Sequence, residues 1–504
     1  MALNLTSRLQ VTAHYFWNRR NASALSHHGV RLEYDPEQRR MAGIILGCTF
    51  TLLAVALMAI LAWFKPAGQV GTSAILADRD TGAVFVVVDG RLHPALNLVS
   101  ARLIAGENSR PTFVKANELN KYPQGPIVGI VGAPTEMPIR SGLSSQWAIC
   151  DTAPKATPSV SAAEQPVVTA IAGPLQVGLR SVPLATPDAI LARHNGKTYV
   201  VWGGHRSEID VANKSVALAL GIDSTTPPPV PMSTALFDAI PATDPLVNPV
   251  IPNAGAPSPR NLGAPAVIGS VLSVHDLQHN GADTFYVLLG NGVQRISPFV
   301  ASLLRSQNSY GDVAPVAVSP DKLAPVPVVE TLPVSYYPST RLRLIDTAID
   351  GTTCLAWSKG STDSAAEVKI LSGQGLPTPP ESDTRLIHLV KDAGGDLAAA
   401  EADQVYIAPG ATNLVMTTSA DPGSGSRESL WWVSDQGVRY GVAMADESLR
   451  PLGITPAEAR QAPWPLIRVF APGPALDRAD AMTQHDSLTP PGGSEALVSR
   501  RAGQ

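Results

Sequence analysis

Residues 42–64 read AGIILGCTFTLLAVALMAILAWF, an apolar run without a single charged side chain. As an α-helix its roughly 23 residues would rise roughly 34 Å, enough to cross a bilayer hydrocarbon core of about 30 Å. Arg39 and Arg40 close one end of the run, and Trp63, Phe64 and Lys65 close the other. An aromatic pair beside a cation suits a membrane–water boundary. A buried core helix is the competing reading, but such helices usually interrupt their apolar run sooner. The run is too long for the apolar part of a cleaved signal peptide, and no small-residue cleavage site follows it, so it is expected to persist as an anchor. No second run of comparable length occurs in the 504 residues, which predicts a single span.

Flanking charge sets the expected orientation. Residues 1–40 hold six arginines (Arg8, Arg19, Arg20, Arg31, Arg39 and Arg40), whereas only Lys65 and Arg79 follow closely behind the span. The positive-inside tendency then puts the N-terminus in the cytoplasm and the long C-terminal part outside. The N-terminal arginines outnumber Glu33, Asp35 and Glu37, so the acidity behind the formal net charge of −4 lies in the exported part. With no basic face there, nucleic acid is not an expected partner. Of the 3 cysteines, Cys48 lies in the span, where a thiol behaves as a small apolar group, leaving Cys150 and Cys354 outside. A lone pair in an oxidising compartment is an expected disulfide, and the C-x-x-C spacing that a redox pair favours is absent.

Along the chain, residues 6–25 suit a short amphipathic helix, with Leu9, Ala13, Phe16 or Trp17, and Ala24 at helical spacing and Thr6 or Ser7 as its cap. Such a basic helix can lie on anionic lipid or dock a cytosolic partner. Beyond the span one pattern recurs at irregular intervals, in residues 84–105, 199–221, 285–304 and 430–453. Each is a β-rich apolar run, a turn, a short return strand and a helix-like segment. The turns Asp89-Gly90, Gly203-Gly204, Gly290-Asn291-Gly292 and Asp435-Gln436-Gly437 offer the positive φ that tight hairpins use. Ser297-Pro298 signals a capped helix after the third. Units this small cannot bury an apolar face alone, so an α+β domain of four strand–turn–strand–helix repeats around a common centre is expected, propeller-like in arrangement. Ile127–Gly132 and Ala266–Gly269 look like further strands. The segments around Cys150 and Cys354, each with a tryptophan (Trp147, Trp357) three residues away, look like strands of a central piece stapled to each other. Pro-rich residues 225–231 and 241–265 are expected as loops, and 471–504 as an extended Pro/Gly-rich tail. The expected domains are a basic cytosolic segment (1–41), the span (42–64), the exported repeat domain (65–470) and the tail (471–504).

Catalytic chemistry is sparse. Gly196-Lys197-Thr198 tempts as a phosphate loop, but such a loop needs a glycine five residues earlier, where Leu191 stands, and a helix after it, where an apolar strand begins. A turn opening a hairpin is the better reading. There is no G-x-S-x-G elbow. His93, His194, His205 and His275 are singletons without zinc-ligand spacing, His27 and His28 would point to different faces of a helix, and Asp78-Arg79-Asp80 lacks the further acids of a calcium loop. No catalytic, cofactor or metal residues are assigned.

At the level of whole motifs the chain resembles the EccB component of actinobacterial type VII (ESX) secretion systems. Arg8-Leu9-Gln10-Val11, Phe16, Arg19-Arg20, Ala24-Leu25, Arg31 and Asp35-Pro36 resemble the family's cytoplasmic signature, although Ala13-His14-Tyr15 departs from it. Asp80-Thr81-Gly82-Ala83, Leu92-His93-Pro94, Leu96-Asn97-Leu98 and Ser100-Ala101-Arg102-Leu103 resemble its first repeat, and Trp147 through Cys150-Asp151 with Cys354 its disulfide pair. The resemblance implies a single-pass structural subunit of the inner-membrane ESX complex, with EccC, EccD and EccE and a mycosin protease as partners. It also implies self-association on the periplasmic side, four repeats around a central domain in a distorted propeller, and cytosolic docking through Arg8, Phe16, Arg19 and Arg20. Members also bear the name ATPase, implying ATP as ligand, for which the sequence holds no Walker motif. A periplasmic nucleotide hydrolase and a cell-wall glycan-binding module are the alternative functions.

Overall fold

The computed structural model describes residues 7–27, 36–64, 72–153, 165–275, 283–346, 351–390 and 400–488. The protein is mixed α+β, with one candidate membrane helix near its N-terminus among the described residues. The first helix, Arg8–His27, opens on a reciprocal cap. The Ser7 amide donates to the Gln10 side-chain oxygen (3.0 Å) and the Gln10 amide donates to the Ser7 hydroxyl (3.4 Å). The Gln10 amide also donates to the Ser7 carbonyl at 2.9 Å, so the Ser7 amide is the one that depends on a side chain for its partner. Thr6, the alternative cap, and His28 lie outside the described residues.

The second helix, Pro36–Phe64, starts on a proline, whose missing N–H is not needed at that position. Its segment Met41–Ile60 has a mean hydropathy of 2.4, and none of it is buried against protein. Ile44, Leu46, Phe50 and Leu53 are all largely exposed, a surface that an apolar solvent satisfies and water does not. The hydroxyls of Thr49 and Thr51 donate back to the carbonyls of Ile45 and Gly47, so these polar atoms ask nothing of lipid. Cys48 is a free, exposed thiol on this helix.

Four sheets follow that carry the recurring sequence pattern. The first has the order Arg91–Pro94, Val84–Val88, Ile75–Asp78, Thr112–Val114, antiparallel except for its last, parallel pair. The second runs His205–Ile209, Lys197–Trp202, Asp188–His194, Val230–Pro231, again with a parallel last pair. Arg343–Leu344 adds to it alongside Asp188–His194. The third runs Gly292–Ile296, Asp283–Leu289, Val271–His275, Val316–Ala317. The fourth runs Val438–Val442, Leu430–Val433, Leu414–Thr418, Arg460–Pro463, with Ala471–Pro472 on its other edge.

Each hairpin leads into a helix: Leu98–Ala105, Lys214–Leu220, Pro298–Gln307 and Asp446–Leu452. The side chains of Asn97, Asn213 and Ser297 cap the first three by accepting from amides two or three residues on. Asp89 and Gly90, at φ 48° and 75°, make the first tight turn. The third hairpin departs from expectation: Gly290, Asn291 and Gly292 are not among the positive-φ residues. Gly292 is needed for space, since a Cβ there would fall 2.3 Å from the Pro327 carbonyl oxygen.

A seven-stranded sheet is drawn from the chain between these units. Its order is Ile387–His388, Gln404–Ile407, Val167–Ala172, Ser144–Thr152, Thr352–Gly360, Glu367–Gly373, Ser181–Pro183. One face carries Trp147, Ile149, Ala170, Leu355, Trp357 and Val405 into a core with helix Thr234–Ala239 and with Phe470. The opposite face carries Ala148, Cys150, Ile171, Cys354, Leu371 and Tyr406 into a second core. The first and fourth sheets share another core, in which Val99 and Leu103 meet Leu414, Trp432 and Leu449. The second and third share one in which Val216 and Leu220 meet Phe299 and Leu303.

Two expectations are corrected. Ala266–Gly269 is a turn with a single bridge from Val267 to Pro257, not a strand, and Ile127–Gly132 is a strand only over Ile127–Val128. Residues 471–488 are folded, not tail. They contain strand Ala471–Pro472, helix Arg478–Ala481 and strand Gln484–His485, the last paired with Ile127–Val128. Proline and glycine misled there because Leu476 and Ala481 are fully buried in the core between the first and fourth sheets. Residues 489–504 lie outside the described residues. Truncation after residue 470 should therefore lower the melting temperature by several degrees or prevent folding, as read by thermal unfolding of the detergent-solubilised protein.

Candidate functional site at the stapled centre

The middle of the molecule is built on the pair Ser144–Thr152 and Thr352–Gly360. They run antiparallel in a register that places Cys150 opposite Cys354 and Trp147 opposite Trp357. Cross-strand neighbours on one face are close enough to bridge, and the two sulfurs form a disulfide with Cα atoms 4.0 Å apart across a sequence separation of 204. Both cysteines are fully buried. Because alternate residues point to opposite faces, the tryptophans lie on the other side of the sheet, where Trp147 meets Phe470 edge-on at 5.7 Å. The Trp147 indole N–H donates to the Ser145 hydroxyl at 2.7 Å.

Asp151, next to the disulfide, is buried and holds a role that its place in the sequence does not reveal. Its carboxylate accepts from the Ser233 amide at 2.7 Å and from the Ser233 hydroxyl at 2.6 Å. Ser233 in turn caps helix Thr234–Ala239 by accepting from the Leu236 amide. One carboxylate thus ties the central sheet to a helix that packs on it. Burial pushes the Asp151 carboxyl up to about 7; the two bonds from Ser233 oppose the rise and the nearby Asp403 adds to it. No spacing rule could find this pair, whose members stand 82 residues apart.

Two forked arginine pairs add longer-range ties. Arg140 binds the Asp435 carboxylate through both terminal nitrogens and also donates to the Ala411 carbonyl. Arg180 binds Asp383 at 2.7 and 2.9 Å and the Thr378 carbonyl at 3.1 Å. Forked geometry of this kind fixes orientation as well as distance.

The residues weighed for chemistry are dispersed. Asn195 and Gly196, at φ 47° and 77°, form the turn between Asp188–His194 and Lys197–Trp202. Lys197 reaches across to Glu208 at 2.9 Å. Nothing there cradles a phosphate: no helix N-terminus follows, and the lysine is already paired. The site does not fit ATP. His93 and His194 rest on the carbonyls of Pro126 and Met232, His205 on that of Gly203, and His275 on Asp283. Among the described residues no three His, Cys, Asp or Glu side chains come together as metal ligands.

At the N-terminus, Arg8, Phe16 and Arg19 are exposed on the first helix and Arg20 is half-buried. Leu9, Tyr15 and Trp17 are exposed as well, so this helix presents aromatic and cationic groups with no protein cover. Arg39 and Arg40 lie in the opening turns of the long helix and Trp63 in its last turn, while Lys65 lies outside the described residues.

Against known proteins, the family model described as "Type VII secretion system ESX-1, transport TM domain B" matches residues 3–490. A Mycobacterium tuberculosis protein named ESX-2 secretion system ATPase EccB2 is 48% identical over 502 residues, covering 100% of this chain and 99% of that protein. The EccB5 protein of the ESX-5 system in the same species is 38% identical, covering 96% of this chain and 95% of its own length. Among solved structures, an intact ESX-5 inner membrane complex contains a chain with TM-score 0.75 and 36% identity, covering 99% of both chains. The EccB3 dimer of the ESX-3 core complex matches with TM-score 0.70 and 35% identity over 82% of this chain and 100% of that one.

Two outcomes follow from the stapled centre. Cys354→Ser should lower stability by up to about 5 kcal/mol, read by urea unfolding of oxidised wild type against the variant. The Asp151 carboxyl holds its proton more tightly folded than unfolded, so its contribution is complete below about pH 4 and is lost as pH rises through about 7. Asp151→Asn keeps an acceptor for Ser233 but carries no charge. Relative to wild type it should gain at most about 4 kcal/mol between pH 4 and pH 8, measured as the difference between the two pH–stability curves.

Proposed function

The chain belongs to the EccB family of type VII secretion components, and from that membership we propose that it is a structural subunit of an ESX inner-membrane secretion complex. The observation that carries this is the likeness to a chain of the intact ESX-5 inner membrane complex over 99% of both chains, membrane segment included. A subunit of that kind needs an anchor, a surface for neighbours and a rigid exported body. The candidate membrane helix, the uncovered first helix and the disulfide-closed central sheet supply the three.

The N-terminal arginines support residues 1–41 as the cytoplasmic segment, 42–64 as the span and the rest as periplasmic, with Arg39 and Arg40 at the inner boundary and Trp63 and Lys65 at the outer. Arg8, Phe16, Arg19 and Arg20 form the cytosolic docking face, and EccC, EccD, EccE and a mycosin are the neighbours. The four similarly ordered sheets, each with a helix after its hairpin, support four repeats disposed around the seven-stranded sheet as a distorted propeller. Self-association through the exported domain draws support from the EccB3 dimer.

Several relatives are named ATPases. The hairpin at Gly196-Lys197-Thr198 and its Lys197–Glu208 pair lend that activity no support. Deleting residues 1–40 should therefore abolish assembly: affinity-purified complex should lose its high native mass while the exported domain still folds with its disulfide. A full-size, secreting complex from the deleted protein would overturn the docking role.

A further inference from the structure

The first hairpin carries a cavity. It encloses about 450 Å³ between strands Val84–Val88 and Arg91–Pro94, segment 124–128 and the C-terminal strand Gln484–His485. Val88, Ile104, Val128 and Met482 form apolar walls, and Asp89, Arg91, His93, Gln124 and Gln484 supply the polar groups.

The donor and acceptor census is specific. The His93 Nδ1 lies 3.0 Å from the Pro126 carbonyl oxygen, which can only accept. Nδ1 therefore donates, and in the tautomer with its proton there Nε2 is left to accept. The ring lies so close over Gly125 that a Cβ there would fall 2.3–2.7 Å from its atoms. The Gln124 amide nitrogen is engaged by the carbonyls of Tyr122 and Leu119, which leaves its oxygen for a ligand. Asp89 is a third acceptor. Arg91 shares the strand face of His93, is the one cation among the described lining residues, and has no ion-pair partner among them.

Acceptors at three points call for a ligand rich in hydroxyl or N–H donors. A single forked cation calls for one planar anionic group, and apolar walls suit the C–H face of a ring. We propose that this cavity binds a small polyhydroxylated ring bearing one carboxylate, the chemistry of a sugar acid. Arg91 takes the carboxylate, His93 and Gln124 accept from ring hydroxyls, and Gly125 gives the imidazole its place. A cavity of this size holds a monosaccharide or little more. The site is independent of the assembly role and stands or falls without it.

The test is titration of the full-length protein in detergent with N-acetylmuramic acid, glucuronic acid, neutral N-acetylglucosamine and ATP, followed calorimetrically. The acids should bind saturably and at least about tenfold more tightly than the neutral sugar, the magnitude of one charge-assisted bond. Arg91→Gln, at an exposed position, should erase that preference without changing the melting temperature. Gly125→Ala, which displaces the His93 ring, should weaken both acids by about tenfold or more. Failure of both acids to saturate, equal affinity for acid and neutral sugar, binding indifferent to both variants, or saturation by ATP with the acids silent would each overturn the assignment.

Discussion

The strand Ser144–Thr152 lies against Thr352–Gly360 through nine consecutive residue pairs, and the seven-stranded sheet extends from that contact on both sides. The two strands belong to segments some 200 residues apart, so their pairing must repay the loop-closure entropy of everything between them. The disulfide reduces that cost by holding the unfolded chain to a closed loop. Both sheet faces are then buried. One rests on Trp147, Trp357 and Phe470, and the other on the sulfur bridge itself with Leu371 and Tyr406.

Around this sheet the remaining elements solve a burial problem in pairs. A hairpin with one helix has an apolar face it cannot cover. Helix Leu98–Ala105 meets Asp446–Leu452, and Lys214–Leu220 meets Pro298–Gln307, so each pair of sheets closes a common core. The first pair joins the first of these sheets to the fourth. The strand Gln484–His485 completes the join by pairing with Ile127–Val128, while the His485 ring bonds to the Gly129 carbonyl at 2.7 Å.

The anchor obeys a different solvent. Along Met41–Ile60 the apolar side chains face outward, and the polar atoms of Thr49 and Thr51 are satisfied within the helix. In water that surface would be a liability; in hydrocarbon it is the stable arrangement. On helix Arg8–His27, Leu9, Tyr15, Phe16 and Trp17 are uncovered as well.

Local chemistry was legible in the residues alone. The span rests on length and the absence of charge. The helix after the third hairpin rests on Ser297-Pro298, and the turn at Gly196 on an apolar strand where a phosphate loop needs a helix. The two exported cysteines could pair only with each other. What the sequence hid were the partners. Asp151 and Ser233, Arg140 and Asp435, and Leu476 with its core are brought together from distant positions, and no periodicity records such a meeting. Residues 471–488 show the reason most directly. Their proline and glycine content describes how freely the backbone turns, whereas their order comes from burial of Leu476 and Ala481 between the first and fourth sheets. Composition and spacing act over a few residues and decide anchor, hairpins and caps; burial acts across the whole chain, and only the folded arrangement decides it.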